Sequence, residues 1–432
     1  MKNTKNQTTN IKTQKTKQRI SKRKKRTEIP TLMSAFLKKF ANKVTGNSPD
    51  KLSTKELDEI NECLDLCSDE TKHACFNGEG EGEGEGEGEG NKNDTNYARE
   101  QKVWDTMKMD NETKLYGSSS PSNLQIIIPT SVHDWKHDAM TETYSDNSVP
   151  YQVSQFIKQH SNNDNEDGFK ITGNCSSLPI QDILDIEYMK MRKSDLLLLP
   201  YFIWIKGITY NDVVKKLDAM LPFLQKYSNS NNNDKDQHPH TMGSKQELIA
   251  KLQTIHPEVY SSDKQCCVLL CSHTTRDKRC GKTAPILKKT FESELIKYNV
   301  EDEEEINIPT HNLYVPNDQD PMSKNKVMIV FINHIGGHKF VANCQIYLQK
   351  GLKVTKHLSE EKSTSGDGTV EQKTVKESVT EEGQEKLFVW FARISPMDVP
   401  MIVKDLIVQC IMGEPLKWER PEKVRCIKRF RW

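Results

Sequence analysis

Four side chains that commonly ligate metals occur as two pairs in the second half of the sequence. Cys271 and Cys280 are separated by eight residues, and His334 and His338 are separated by three, two of which are glycines. Two thiolates and two imidazoles make a complete four-ligand set for zinc or for an iron–sulfur cluster. The two pairs therefore predict a metal centre and leave the metal open.

Two short apolar runs precede the ligand pairs and must position them. Residues 265–271 and 326–332 have the composition of strands buried on both faces. The polar segment 272–279 is predicted to be a solvent-facing loop, and a helix is expected to begin near Pro285. The glycines between the histidines permit backbone angles closed to other residues. A short loop can therefore turn both imidazoles toward one point.

The width of the cysteine loop bears on the identity of the metal. Zinc knuckles usually place two to four residues between their cysteines, so the eight residues here are a poor match. A wide loop suits a 2Fe–2S cluster, in which each iron has its own pair of ligands. Two cysteines and two histidines give the ligand count of a Rieske centre. Rieske loops each contribute one cysteine and one histidine, whereas here the two types are segregated, so a Rieske fold is not expected.

The ligand motifs resemble those of the sucrase/ferredoxin-like family. They are residues 271–281, with the sequence CSHTTRDKRCG, and residues 333–340, with the sequence NHIGGHKF. The resemblance covers about 125–227 and 245–432 and is interrupted by insertions. Further similar segments are residues 128–131, 134–138, 199–204 and 421–428.

In that family two cysteines and two histidines hold a 2Fe–2S cluster in a C-terminal thioredoxin-like ferredoxin domain. The matching positions here are Cys271, Cys280, His334 and His338. The resemblance implies a redox or electron-transfer protein linked to actin-patch organisation and to tolerance of oxidants or drugs. A zinc-stabilised interaction protein using the same ligands is the alternative. No catalysed reaction comes with the resemblance, so we expect an electron carrier or redox sensor rather than an enzyme.

Polar side chains beside the ligands are candidates for tuning the centre or docking a partner. His273, Thr274, Arg276 and Asp277 lie between the two cysteines, and Lys339 follows the second histidine. Hydroxyl and amide groups near sulfur tune the reduction potential, and positive charges favour the reduced, more negative state. His273 could also replace a histidine ligand.

The alternation of strand-like and helical segments predicts an α/β protein. We expect two thioredoxin-like α/β domains, a degenerate copy at 120–227 and the ferredoxin at 245–432, with an Asn-rich linker at 228–244. Residues 1–119 are predicted to be a largely disordered basic tail, a short helix and a Gly–Glu linker. A disordered insertion at about 355–386 lengthens one connection of the second domain, at a small cost in loop closure.

Composition limits the partners. The net charge is +1, so nucleic-acid binding is not expected, and no apolar stretch approaches the ~18 residues that span a bilayer. The family resemblance implies a cytoplasmic and nuclear location, and the basic cluster at 22–26 suits nuclear import. The electron donor or acceptor is unknown. Trp432 resembles a terminal signal read by the cytosolic iron–sulfur assembly machinery, although Arg431 replaces the acidic residue of that signal.

Overall fold

The computed structural model describes residues 52–64, 97–161, 168–229, 244–298, 325–349, 385–412, 416, 418 and 420–430. Several predicted features lie outside these residues. They are the basic tail at 1–27, the Gly–Glu linker at 78–90, residues 230–243 of the Asn-rich linker, the insertion up to residue 384, and Arg431 with Trp432.

A single mixed sheet of ten strands organises the described chain, in the order β10-β9-β8-β6-β7-β2-β1-β3-β4-β5. The central strands are buried on both faces, which explains why they read as continuous apolar runs. The strands are β1 (Leu124–Pro129), β2 (Ile171–Ser176), β3 (Lys193–Leu199), β4 (Ile203–Thr209), β5 (Val259–Ser261), β6 (Cys266–Cys271), β7 (Val327–Ile332), β8 (Cys344–Gln349), β9 (Lys386–Phe391) and β10 (Val424–Phe430).

The two halves of the sheet repeat one topology. In the first half β1 pairs parallel with β2 and antiparallel with β3, and β3 pairs with β4. In the second half β6 pairs parallel with β7 and antiparallel with β8, and β8 pairs with β9. Strands β5 and β10 complete the outer edges. The α/β class is confirmed, and the repeat agrees with a second copy of one unit. The domain boundaries stay a prediction, and β5, from the segment assigned to the second domain, pairs with β4.

The halves meet where β2 and β7 end. Ser176 pairs with Ile332 across this junction. On either side the Ser177 amide donates to the Phe331 carbonyl at 2.9 Å, and the Asn333 amide donates to the Cys175 carbonyl at 3.1 Å. The carboxyl ends of all four parallel strands therefore converge at the centre of the sheet, and the loops that follow them lie close together.

Eight α- or π-helical segments flank the sheet in the described residues, besides the short 3₁₀ helices His338–Phe340 and Pro421–Lys423. The predicted short helix near the amino terminus is present, and its Ile60 and Leu64 are buried in the core of the second half. No helix in the described part of the chain is long and apolar enough to cross a membrane. The segments are α1 (Thr54–Leu64), α2 (Ala98–Asp105), α3 (Val149–Ser161), α4 (Ile186–Met189), α5 (Val213–Asn229), α6 (Lys245–Gln253), α7 (Lys278–Ile296) and α8, which consists of Val399–Met401, the π-helical Ile402–Val408 and Gln409–Met412.

Candidate metal centre

Three of the four predicted ligands come together in the structure. Cys271 is the last residue of β6, Cys280 lies in the first turn of α7, and His334 follows the end of β7. The two sulfur atoms are 3.5 Å apart, and the Cys271 sulfur is 3.6 Å from Nδ1 of His334. All three donor atoms lie within 4.8 Å of one another. Both cysteines are free thiols.

The backbone of His338 opens a short 3₁₀ helix, His338–Phe340, that follows the histidine loop. Its side chain lies outside the described residues. The fourth ligand therefore stays a prediction from the sequence.

The cysteine loop is shorter than the sequence predicted. The expected helix start near Pro285 is wrong, because α7 begins at Lys278 and contains Pro285. The Asp277 carboxylate accepts the Arg279 amide at 2.9 Å and forms an ion pair with the Arg279 guanidinium at 2.7 Å. An aspartate in this position satisfies amides at a helix start that would otherwise lack partners. Asp277 therefore fixes Cys280 on a helical turn.

The two buried thiols lie within hydrogen-bond distance of each other. The pKa of Cys271 is lowered to about 5, chiefly because of its hydrogen bond with Cys280, with further help from His334 and the Ile335 amide. The same contact, together with burial, raises the pKa of Cys280. A bound metal would displace any thiol proton from both sulfurs, since metal-bound cysteines are thiolates.

The donor spacing fits a metal ion with little rearrangement. With metal–sulfur bonds of about 2.3 Å and metal–nitrogen bonds of about 2.0–2.1 Å, tetrahedral geometry separates two sulfurs by roughly 3.8 Å and sulfur from nitrogen by roughly 3.6 Å. The observed 3.5 Å and 3.6 Å are close to these values. One ion can therefore bind Cys271 together with either neighbour.

His273 is buried and forms hydrogen bonds with the backbone of His334 and of the loop after β1. Its Nε2 lies 3.0 Å and 2.9 Å from the carbonyl oxygens of Trp135 and Lys136, and its Nδ1 accepts the His334 amide at 3.3 Å. The contacts require the proton on Nε2. Both ring nitrogens are engaged, so His273 positions a ligand and does not replace one in this arrangement.

Thr274 lies against the first turn of α7. Its hydroxyl donates to the Ser272 carbonyl at 3.3 Å. A Cβ added at Gly281 would collide with the Thr274 hydroxyl and would lie 2.9 Å from the Thr274 Cβ and 3.0 Å from its Cγ2. The glycine after Cys280 is therefore required by this close approach.

The loop after β1 in the first half packs onto the cysteine loop. The Asp134 carboxylate accepts the Thr275 amide at 3.1 Å and the Thr275 hydroxyl at 2.9 Å. The Arg276 guanidinium donates to the His137 carbonyl at 3.2 Å. Arg276 thus joins the halves, a role that its position in the sequence did not predict.

Lys339 lies on the exposed side of the histidine loop. Its Nζ is 3.7 Å from the Asp110 carboxylate and 4.7 Å from the centre of the Phe340 ring. Its side chain is half exposed, so it remains available to a partner.

Asn343 and Arg425 also contact the histidine loop, and no sequence pattern predicted a role for either residue. The Asn343 carbonyl accepts the Cys271 amide at 3.2 Å, and its side-chain amide donates to the Gly337 carbonyl at 3.2 Å. Arg425 donates to the Asn343 Oδ1 at 2.9 Å. The resemblance of residues 421–428 marked the segment of Arg425 but gave no sign of the contact.

Comparisons with known proteins agree with the motifs. The family model described as Sucrase/ferredoxin-like matches residues 115–418, which include all four predicted ligands. Actin patches distal protein 1 of Saccharomyces cerevisiae is 33% identical over 401 residues, covering 92% of this chain and 99% of the relative. No solved structure was found to match the chain.

Proposed function

Because the chain belongs to the sucrase/ferredoxin-like family, we propose that it binds a 2Fe–2S cluster and serves as an electron-transfer or redox-sensing protein. The proposed ligands are Cys271, Cys280, His334 and His338. The observation that carries the proposal is the group of two thiols and one imidazole whose donor atoms lie within 4.8 Å of one another. Soft thiolate ligands select iron–sulfur clusters or zinc over oxygen-preferring ions.

The residues around the donors suit a redox centre. A bound 2Fe–2S cluster would supply a one-electron couple. The Ile335 amide donates to the Cys271 sulfur, and a hydrogen bond to sulfur tunes the reduction potential. Burial of both cysteines excludes water from their side of the site.

Exposure is asymmetric around the donor set. Cys271 and Cys280 are 2% and 0% exposed, whereas His334 is half-buried. An electron donor or acceptor would therefore approach the histidine loop. Lys339 on that side would favour a partner with an acidic surface.

Zinc is the second candidate because of the distance between the Cys271 sulfur and the His334 imidazole. The Cys271 sulfur and His334 Nδ1, 3.6 Å apart, already have the separation that a single tetrahedral ion imposes. In that case the centre would stabilise the junction of the two halves, and the protein would act through interactions rather than electron transfer.

The relative and the sequence support the proposed cellular role. The relative's name refers to actin patches, and we extend that link to this chain as part of the proposal. The proposed location is the cytosol and nucleus, where the cytosolic iron–sulfur assembly machinery would load the cluster.

Single-ligand variants test the ligand set. We expect Cys271→Ser, Cys280→Ser, His334→Ala and His338→Ala to lose bound iron when the purified variants are analysed for iron and sulfide. Cys267→Ser is the matched control, because Cys267 is a fully buried thiol on the same strand and lies outside the donor group. Equal iron content in the control and in all four ligand variants would reject the site.

A further inference from the structure

A β-bulge turns Arg425 inward toward the histidine loop. The pairing of β10 with β9 shifts between Val424 and Cys426, which leaves Arg425 as the extra residue. Bulges of this kind change the direction of a side chain. The Arg425 backbone carbonyl accepts the Gly117 amide at 2.9 Å, which fixes the bulged residue.

The guanidinium of Arg425 is buried among neutral acceptors. Arg425 is only 3% exposed. It donates to the Asn343 Oδ1 at 2.9 Å, to the Ser118 hydroxyl at 3.2 Å and to the Gly336 carbonyl at 3.4 Å. It therefore contacts both the histidine loop and the residue whose carbonyl accepts the Cys271 amide.

Aromatic faces complete the surroundings of this cation. The guanidinium carbon is 4.3 Å from the centre of the Trp390 ring and 5.3 Å from that of Phe340. Within the described residues no carboxylate forms an ion pair with Arg425. Burial lowers the pKa of Arg425 to about 10, so it stays charged at neutral pH. An unneutralised buried charge is costly, and such charges are usually paired.

The histidine loop approaches the guanidinium directly. Gly337 has φ +68°, and a Cβ placed there would lie 2.5 Å from Cζ and 2.7 Å from Nη2 of Arg425. Gly336 has φ +85°, but a Cβ there would meet nothing within 4 Å. Both glycines have a left-handed backbone conformation. Only at Gly337 does the nearby Arg425 guanidinium also leave no room for a Cβ.

We propose that Arg425 is the positioning residue of the histidine loop and the fixed positive charge that favours the reduced state of the bound centre. The inference rests on the proposed function. The hydrogen bond to the Gly336 carbonyl and the contact with Gly337 hold the loop that carries His334 and His338. Its positive charge, which no carboxylate in the described residues neutralises, stabilises the extra negative charge that the centre gains on reduction.

Two substitutions distinguish the effect of the Arg425 charge from the effect of its hydrogen bonds. Arg425→Lys keeps the positive charge and loses the forked contacts, whereas Arg425→Gln loses the charge and retains a donor. We expect the midpoint potential of Arg425→Gln to lie below the wild-type potential. The midpoint potential of Arg425→Lys should stay close to the wild-type potential. Equal potentials in the wild type and Arg425→Gln would overturn the electrostatic role.

The glycine pair tests positioning without removing the arginine. Gly336→Ala and Gly337→Ala both strain the loop backbone, but only the second displaces the guanidinium. We expect roughly 10–100-fold weaker metal binding for Gly337→Ala than for Gly336→Ala, the usual range for residues that orient ligands. Equal affinities would overturn the positioning role. This pair still tests the positioning role if Arg425→Gln does not fold.

Iron analysis of the wild type separates the two proposals. If the wild-type protein carries zinc and no iron after anaerobic purification and reconstitution, the proposed function fails, and zinc affinities of the glycine variants still test positioning. If the wild type carries a cluster whose potential and affinity are insensitive to these substitutions, the function stands and the inference about Arg425 fails.

Discussion

The close approach of Gly281 to Thr274 predicts that Gly281→Ala lowers the free energy of unfolding when Thr274 is present and raises it when Thr274 is removed. Gly281 lies inside α7, and a Cβ there would collide with the Thr274 hydroxyl and press on the Cβ and Cγ2 of Thr274 at 2.9 Å and 3.0 Å. The Thr274 Cβ is tied to the backbone, so the cysteine loop must shift to admit Gly281→Ala.

Two effects of Gly281→Ala oppose each other. Overpacking of this kind typically costs about 1–3 kcal/mol. Replacing glycine by alanine within a helix contributes about 0.8–1.0 kcal/mol of stability. The net change in the free energy of unfolding is therefore a loss of up to about 2 kcal/mol, which is a factor of up to roughly 30 in the folded-to-unfolded ratio.

A Thr274→Gly background removes the clash and leaves the helix effect. We expect Gly281→Ala to destabilise the wild-type chain and to stabilise the Thr274→Gly chain by up to about 1 kcal/mol. Urea denaturation of the four metal-free proteins measures the cycle. The same loss of stability in both backgrounds would refute the proposed packing of α7 against the cysteine loop.

Two further predictions concern the histidines. His273→Ala should remove the acceptor of the His334 amide and the donor to the Trp135 and Lys136 carbonyls, at a cost of about 1–3 kcal/mol in urea denaturation. His273→Gln, which keeps a donor, should recover part of this loss, and unchanged stability in both variants would contradict the positioning role. His334→Cys should retain a cluster with a lower midpoint potential, because a thiolate replaces a neutral imidazole. An unchanged potential in that variant would remove His334 from the ligand set.

Sequence patterns predicted the strands that carry the ligands. The apolar runs at 265–271 and 326–332 correspond to β6 (Cys266–Cys271) and β7 (Val327–Ile332). Strands buried on both faces need continuous apolar composition, so the signal is local and strong. The ligands at the strand ends follow directly from these boundaries.

The start of α7 shows where local rules compete. Proline favours the first helical position, which placed the predicted start near Pro285. Asp277 is an equally good helix-start signal, and its bonds to Arg279 determine the observed start. The sequence contains both signals, and the contacts of Asp277 with Arg279 show which of them the fold uses.

Contacts between distant segments had no signal in the sequence. Asp134 bonds to Thr275, and Arg425 packs behind Gly337, although each pair is far apart along the chain. Such contacts depend on how the two halves of the sheet meet at Ser176 and Ile332. Periodicity and composition report local structure and carry no information about that junction.

Metal content is the most direct test of the central claim. The measurement is iron, sulfide and zinc per chain in anaerobically purified protein, with visible absorption recorded before and after dithionite. The proposed 2Fe–2S cluster predicts equal amounts of iron and sulfide matching one cluster per chain, and absorbance that bleaches on reduction. A colourless protein that carries zinc, and takes up no iron and sulfide on reconstitution, would contradict it.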